Sequence, residues 1–141
     1  MGNSNISIRK TKDIFSVIAL NNFIMPEDEL NVDTNSYHWL ASDKRTNQLI
    51  GFCSVSDYGQ GILFLSRSGL LRSHRGRNIQ RRFILIREQF AKRNGFKKII
   101  TYTTKDNYQS MNSLIKSGYQ FYDPEYKYVG DDFFYFIKDI T

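Results

Sequence analysis

Leu70-Leu71-Arg72-Ser73-His74-Arg75-Gly76-Arg77-Asn78-Ile79-Gln80-Arg81-Arg82 is the stretch on which the reading of this 141-residue chain turns. An apolar run ends at Leu71 and a short basic turn follows. Apolar residues then recur at Ile79, Phe83, Ile86 and Phe90, the stripe of an amphipathic helix. A strand that passes through a tight turn straight into a helix is, in outline, an anion cradle. The first backbone N–H groups of a helix have no internal acceptor, and the helix dipole adds positive potential at that end. Amides converging there hold a diphosphate if the backbone can come close. Gly76 and Asn78 are the residue types that permit this. Glycine has no Cβ, and asparagine is the best non-glycine occupant of the left-handed region. Arginines beside the turn would add charge-assisted hydrogen bonds to phosphate oxygens. Taken alone, the pattern leaves three readings open: a solvated arginine-rich helix start, a phosphate site, and an RNA-binding helix.

Working outward, Ile6-Ser7-Ile8 alternates as a first strand does, and Thr11 is expected to cap a helix carrying Ile14, Phe15, Val17, Ile18 and Leu20. Residues 26–35 read as a polar, acidic loop. Residues 37–42 and 49–55 are strand-like and joined by the polar turn 43–47. Tyr58-Gly59-Gln60-Gly61 is a further turn, and Ile62–Leu65 opens a fourth strand, so strands two to four form an antiparallel meander. Beyond the decisive stretch, Asn94-Gly95 ends the helix, and residues 98–103 are β-rich. Asp106 is expected to cap a helix carrying Tyr108, Met111, Leu114 and Ile115, closed by Gly118. Residues 119–122 and 133–137 are the last strands. The order βαβββαβαβ plus a final strand is an α+β fold, and with neither repeat nor linker it reads as one domain over 1–141.

Composition narrows the class. Forty per cent hydrophobic and 24% charged residues fit a globular domain rather than a disordered one. The apolar runs are far too short for a bilayer, and the start lacks a secretory signal, so the reading is cytoplasmic with no membrane partner. Gly2 with Ser4 is too faint a pattern for myristoylation. A single cysteine, Cys53, excludes an intramolecular disulfide, and two distant histidines give no metal site. The net charge of +6 reads either as solubility or as an anionic partner, nucleic acid or a phosphate-bearing ligand, and Arg67, Arg72, Arg75, Arg77, Arg81, Arg82 and Arg87 crowd one stretch.

At this point the sequence resembles a known family. GNAT acetyltransferases carry a strand followed by Arg/Gln-x-x-Gly-x-Gly/Ala opening a helix, and Arg75-Gly76-Arg77-Asn78-Ile79-Gln80 is similar to it. Asn107, Ser110 and Gly118-Tyr119 match the family's next helix in spacing. The resemblance covers roughly 49–138. It implies a mixed, mostly antiparallel central sheet of about seven strands flanked by helices, with acetyl-CoA as cosubstrate. It further implies that the backbone of Ser68, Gly69 and Leu70 pairs with the pantetheine arm. The amides of Gly76, Arg77, Asn78, Ile79, Gln80 and Arg81, beside Arg75, would take the pyrophosphate. Asn107, near Ser110, would hydrogen-bond the pantetheine or its surroundings, and the amide of Leu70 would stabilise the oxyanion.

The sequence departs from the family pattern in two places. Asn78 and Gln80 replace the usual glycines. Leu114 stands where many relatives carry the tyrosine that protonates the departing thiolate. Tyr122 is the first substitute for that acid, ahead of Tyr108, Tyr119 and Ser110; Asp57 and Glu29 are carboxylates on offer as base. Cys53 and His38 read as packed strand residues, and His74 as a contact near the coenzyme rather than a catalyst. The aromatic C-terminal stretch reads as packing for the last hairpin. The acidic run Glu27, Asp28, Glu29 and Asp33 reads as a solvated loop, or as a rim favouring a cationic amine. The expected function is transfer of the acetyl group to a primary amine of unknown identity by direct attack in a ternary complex. A homodimer is compatible with it, and nucleic acid ranks below. The alternative is a catalytically degenerate module that binds coenzyme A or nucleic acid without turnover.

Overall fold

A computed structural model describes residues 5–30, 32 and 34–141; Gly2, Ser4 and Asp33 lie outside the described residues. The elements follow the expected order: β1 (Ile6–Thr11), α1 (Ile14–Ile24), β2 (Ser36–Asp43), β3 (Gln48–Gly59), β4 (Ile62–Leu70), α2 (Ile79–Arg93), β5 (Lys98–Thr104), α3 (Tyr108–Lys116), β6 (Gln120–Tyr122) and β7 (Phe133–Asp139). The strands form a seven-stranded sheet in the order β1-β2-β3-β4-β5-β7-β6. The pairs β1–β2, β2–β3, β5–β7 and β6–β7 are antiparallel. β4 and β5 are parallel, which requires a crossover, and α2 supplies it. Among the described residues no helix is long and apolar enough to cross a membrane.

The chain divides into two compact units. The first holds the described residues of 1–56 with Ser66–Phe83. Its core is built from Val17, Trp39, Phe52, Val55, Leu70 and Phe83, all buried. The β2–β3 register runs Ala41↔Gly51 and then Ser42↔Leu49, which leaves Ile50 as the extra residue of a β-bulge. The carbonyl of Ile50 receives the Leu71 N–H at 2.8 Å. Asp13, not Thr11, caps α1: its Oδ1 accepts from the Ser16 N–H at 3.2 Å. The cap must sit directly before the first helical residue, and β1 continues through Thr11, whose hydroxyl instead accepts from the Asp13 N–H.

The second unit holds Asp57–Leu65 with Ile84–Thr141. The parallel register of β4 with β5 covers Ile62–Phe64 against Lys98–Ile100. At the next step the Thr101 hydroxyl donates to the Leu65 carbonyl at 3.0 Å, a side chain taking the place of a ladder bond. The buried stripe of α2 runs through Ile79, Phe83, Ile84, Arg87, Glu88 and Ala91, while Ile86 and Phe90 are only half-buried. The expected stripe was therefore rotated. Glu88 enters the buried face because Lys138 Nζ meets both its oxygens at 3.2 Å, and the Ser117 carbonyl at 2.7 Å. A buried carboxylate is tolerated only when so paired. Asn107 rather than Asp106 caps α3, and Asp106 Oδ1 instead accepts from the Thr104 hydroxyl.

Candidate functional site

The turn between β4 and α2 opens with a 3₁₀ segment, Arg72–His74, that the sequence did not announce. Arg75 is then extended, and both Gly76 (φ 79°) and Asn78 (φ 63°) take the left-handed conformation that their residue types favour. The first bond of the helical ladder runs from the Arg82 N–H to the Asn78 carbonyl at 3.2 Å. The N–H groups of Ile79, Gln80 and Arg81 precede it and have no helical acceptor. A Cβ built on Gly76 would meet no atom within 4 Å, so the face above it is open. Ser68 reaches back from β4 and donates its hydroxyl to Gln80 Oε1 at 3.0 Å, tying the strand end to the first helical turn. Ser68, Gly69, Leu70 and the whole segment 75–81 thus belong to the first unit.

The arginine cluster is used differently from its appearance in the sequence. Arg75 Nε donates to the Leu70 carbonyl at 3.2 Å, Arg77 to the Ser73 carbonyl at 3.5 Å and Arg82 to the Ile6 carbonyl at 3.2 Å. Arg67 donates to the Asp28 carbonyl at 2.7 Å and to Asn21 Oδ1 at 3.0 Å. Arg87 is buried. Most of these side chains therefore staple backbone. Their charge still raises the local potential beside the amides of the turn.

Gly69 is enclosed: a Cβ there would lie 2.8 Å from the Phe52 ring and 3.0 Å from the Met25 methyl. Only glycine lets α1 and β3 close on β4 at this point. His74 is 7% exposed and its Nε2 lies 3.1 Å from Asp43 Oδ2. That pairing, with a hydrogen bond from the Arg45 N–H, holds the Asp43 carboxyl down at about 2. Sequence reasoning placed His74 near the coenzyme but missed Asp43, whose position at the end of β2 carries no local signal.

Asn107 and Ser110, in the second unit, meet each other: Asn107 Oδ1 accepts from the Ser110 N–H at 3.1 Å. The acceptor end of the Asn107 amide is thus a helix cap, and Nδ2 is the end suited to a ligand. Leu114 is a buried packing residue of α3. Tyr119 is equally buried, and burial pushes its phenol far above the usual range. Tyr108 is 69% exposed. Tyr122 is half-buried and its phenol is raised, chiefly by desolvation, so at neutral pH it carries its proton as an acid must. It opens on a groove of about 370 Å³, also lined by Phe121, Phe133, Tyr135, Asp123 and Lys127. The rings of the last hairpin pack it as expected, with Phe121 against Phe134 and Phe136, while some also line this groove. Of the two carboxylates on offer as base, Asp57 accepts from the Gly59 N–H in its turn, and Glu29 is exposed. Cys53 is fully buried, and His38 is buried with Nδ1 2.6 Å from the Ser54 hydroxyl, so both are packing residues.

Comparison with known proteins follows this geometry. The model of the acetyltransferase (GNAT) family matches residues 10–119. No curated protein matches by sequence. The fold is similar to that of an IAA acetyltransferase from Bacillus cereus, with a TM-score of 0.80 at 12% identity over 96% of this chain and 99% of that one. It is similar to a GNAT family acetyltransferase from Elizabethkingia anophelis solved with acetyl-CoA bound, with a TM-score of 0.77 at 15% identity over 96% and 99% of the two chains. It is also similar to a spermidine N-acetyltransferase variant from Vibrio cholerae, with a TM-score of 0.74 at 14% identity over 97% and 95%. A family match over well more than half of the chain, on a fold of the same kind, makes it a member of the GNAT family, an acetyltransferase that draws its acetyl group from acetyl-CoA.

Proposed function

We propose that the protein transfers the acetyl group of acetyl-CoA to a primary amine by direct attack in a ternary complex. The observation that carries the reading is the left-handed pair Gly76 and Asn78 set before the unpaired amides of α2. That arrangement suits the pyrophosphate of a nucleotide-bearing acyl donor. In this reading the amides of residues 76–81 take the pyrophosphate and the backbone of Ser68, Gly69 and Leu70 takes the pantetheine arm. Asn107 Nδ2, beside Ser110, donates to the coenzyme. The Leu70 N–H steadies the oxyanion as the amine adds to the thioester carbonyl. The amine loses a proton to a base or to water, the C–S bond breaks, and the thiolate takes a proton from Tyr122. Positioning does most of the work. The amine class draws support from the spermidine N-acetyltransferase among the similar folds.

The test is thermal melting with and without millimolar acetyl-CoA, followed by acetylation of an amine library. A ligand that binds only the folded state raises the melting temperature; no shift with any acyl-CoA would sink the reading. With the amine in hand, Tyr122→Phe should lower kcat by at least about tenfold, because general acid catalysis is worth 100-fold or more. Its acetyl-CoA dissociation constant should hardly change. An unchanged kcat would pass the acid's role to solvent.

A further inference from the structure

Asp43 closes β2, and His74 closes the 3₁₀ turn that precedes the cradle. The two side chains are buried, at 3% and 7% exposure, and meet at 3.1 Å. A carboxylate only accepts, so His74 Nε2–H donates to Asp43 Oδ2, and Nδ1 lies 2.8 Å from the Ser73 hydroxyl. The other Asp43 oxygen accepts from the Arg45 N–H at 2.9 Å, and its carbonyl accepts from the Asn47 N–H at 2.7 Å. Asp43 is therefore anchored in the β2–β3 turn. On the far side of the 3₁₀ segment, the Leu71 N–H is held by Ile50 of the bulge. The turn closes internally through the His74 N–H to Leu71 and the Arg75 N–H to Arg72.

Gly76 and Asn78 themselves are exposed, and no protein atom approaches Gly76. Their left-handed backbone is held from either end: by α2 and the Ser68–Gln80 bond after it, and before it by His74 together with the Arg75 bond to the Leu70 carbonyl and the long Arg77 bond to the Ser73 carbonyl. An anion site made of amides binds well only if the amides already point at the ligand, since ordering them on binding costs affinity. We infer that His74, locked by Asp43, is the positioning residue of the coenzyme cradle, setting the turn so that the amides of 76–81 face the pyrophosphate before the coenzyme arrives. Both side chains are taken up by protein partners, so the pair has no part in the acyl transfer itself. Its effect should fall on the pyrophosphate and leave the pantetheine arm alone.

This inference rests on the cradle being the coenzyme site, and the experiment separates the two. Dissociation constants are measured by calorimetry for coenzyme A and for pantetheine, which keeps the arm and thiol but lacks the pyrophosphate. Asp43→Asn and His74→Gln should each weaken coenzyme A about tenfold, the scale of one misplaced buried hydrogen bond. Pantetheine should bind them as it binds the parent. Equal weakening of both ligands, or no weakening of coenzyme A, overturns the inference. Should either variant fail to fold, the unaltered protein still decides. Backbone ¹⁵N order parameters for 76–81 should match those of β4 before coenzyme is added; amides that become ordered only on addition overturn the inference. If Gly76→Val leaves coenzyme A affinity intact, the cradle reading itself fails. If Gly76→Val weakens it and Asp43→Asn does not, only the role of His74 fails.

Discussion

At Gly76 the backbone has φ 79°, and a side chain would point into open space. A substitution there meets no protein atom but pays for the left-handed backbone, on the order of 1–2 kcal/mol, and would block the approach of a phosphate. Arg77→Ala removes only a long bond to the Ser73 carbonyl and one exposed charge. Coenzyme affinity should therefore fall more in Gly76→Val than in Arg77→Ala, and calorimetry on both folded variants checks the order. Equal values would overturn a cradle made of backbone. Gly76 and Asn78 were legible in the sequence because positive φ restricts residue type so strongly. What the arginines reach in the fold was not legible, for the opposite reason. A guanidinium can donate to a phosphate or to a carbonyl, and only the tertiary fold places Ile6, Ser73 or Asp28 beside it.

Helix starts show the same limit one level up. Thr11 and Asp13, like Asp106 and Asn107, are all competent caps, and the choice was made by where the preceding strand stops. Periodicity located α2 but misjudged which face it buries. Glu88 turns inward because of Lys138, fifty residues away, and no window of local sequence contains that. The cap on α3 offers a clean separation of two roles. Asn107→Asp keeps an oxygen for the Ser110 N–H and adds a negative charge where the helix dipole favours one. It deletes the amide donor at the same time. Unfolding free energy should stay within about 0.5 kcal/mol of the parent, while coenzyme binding weakens. An unchanged dissociation constant would reduce Asn107 to a cap.

For the whole chain, the alternation of strand and helix patterns gave the element order, and length with turn chemistry gave the sheet its strands. The register slip at Ile50 and the pairing of Asp43 with His74 were not legible, since each depends on residues brought together only by folding. That pair also sets how the molecule responds to acid. The Asp43 carboxyl sits at about 2, below its ordinary 3.8, held there first by His74 and then by the Arg45 N–H. A carboxyl depressed in the folded state binds its proton more readily when unfolded. Its contribution is therefore complete above about pH 5 and is lost as the pH falls from about 4 to 2. Asp13 and Asp139, both lowered by hydrogen bonds, act in the same direction. Urea unfolding at stepped pH should show stability declining over that window, with a shallower decline in Asp43→Asn. Parallel slopes in the two proteins would refute the assignment.

Cys53, at 0% exposure in the middle of β3, is the sole thiol among the 141 residues. The protein thus carries a built-in clock. A disulfide reagent in solution can reach that sulfur only when the strands around it part, so the rate of colour release counts openings of the native state rather than surface chemistry. Because the clock ticks only in states that have come apart, saturating acetyl-CoA should slow it by the factor with which the coenzyme stabilises the closed form. Two absorbance traces, without and with acetyl-CoA and with neither acceptor nor turnover, would then report both how often this molecule breathes and how tightly it holds its coenzyme.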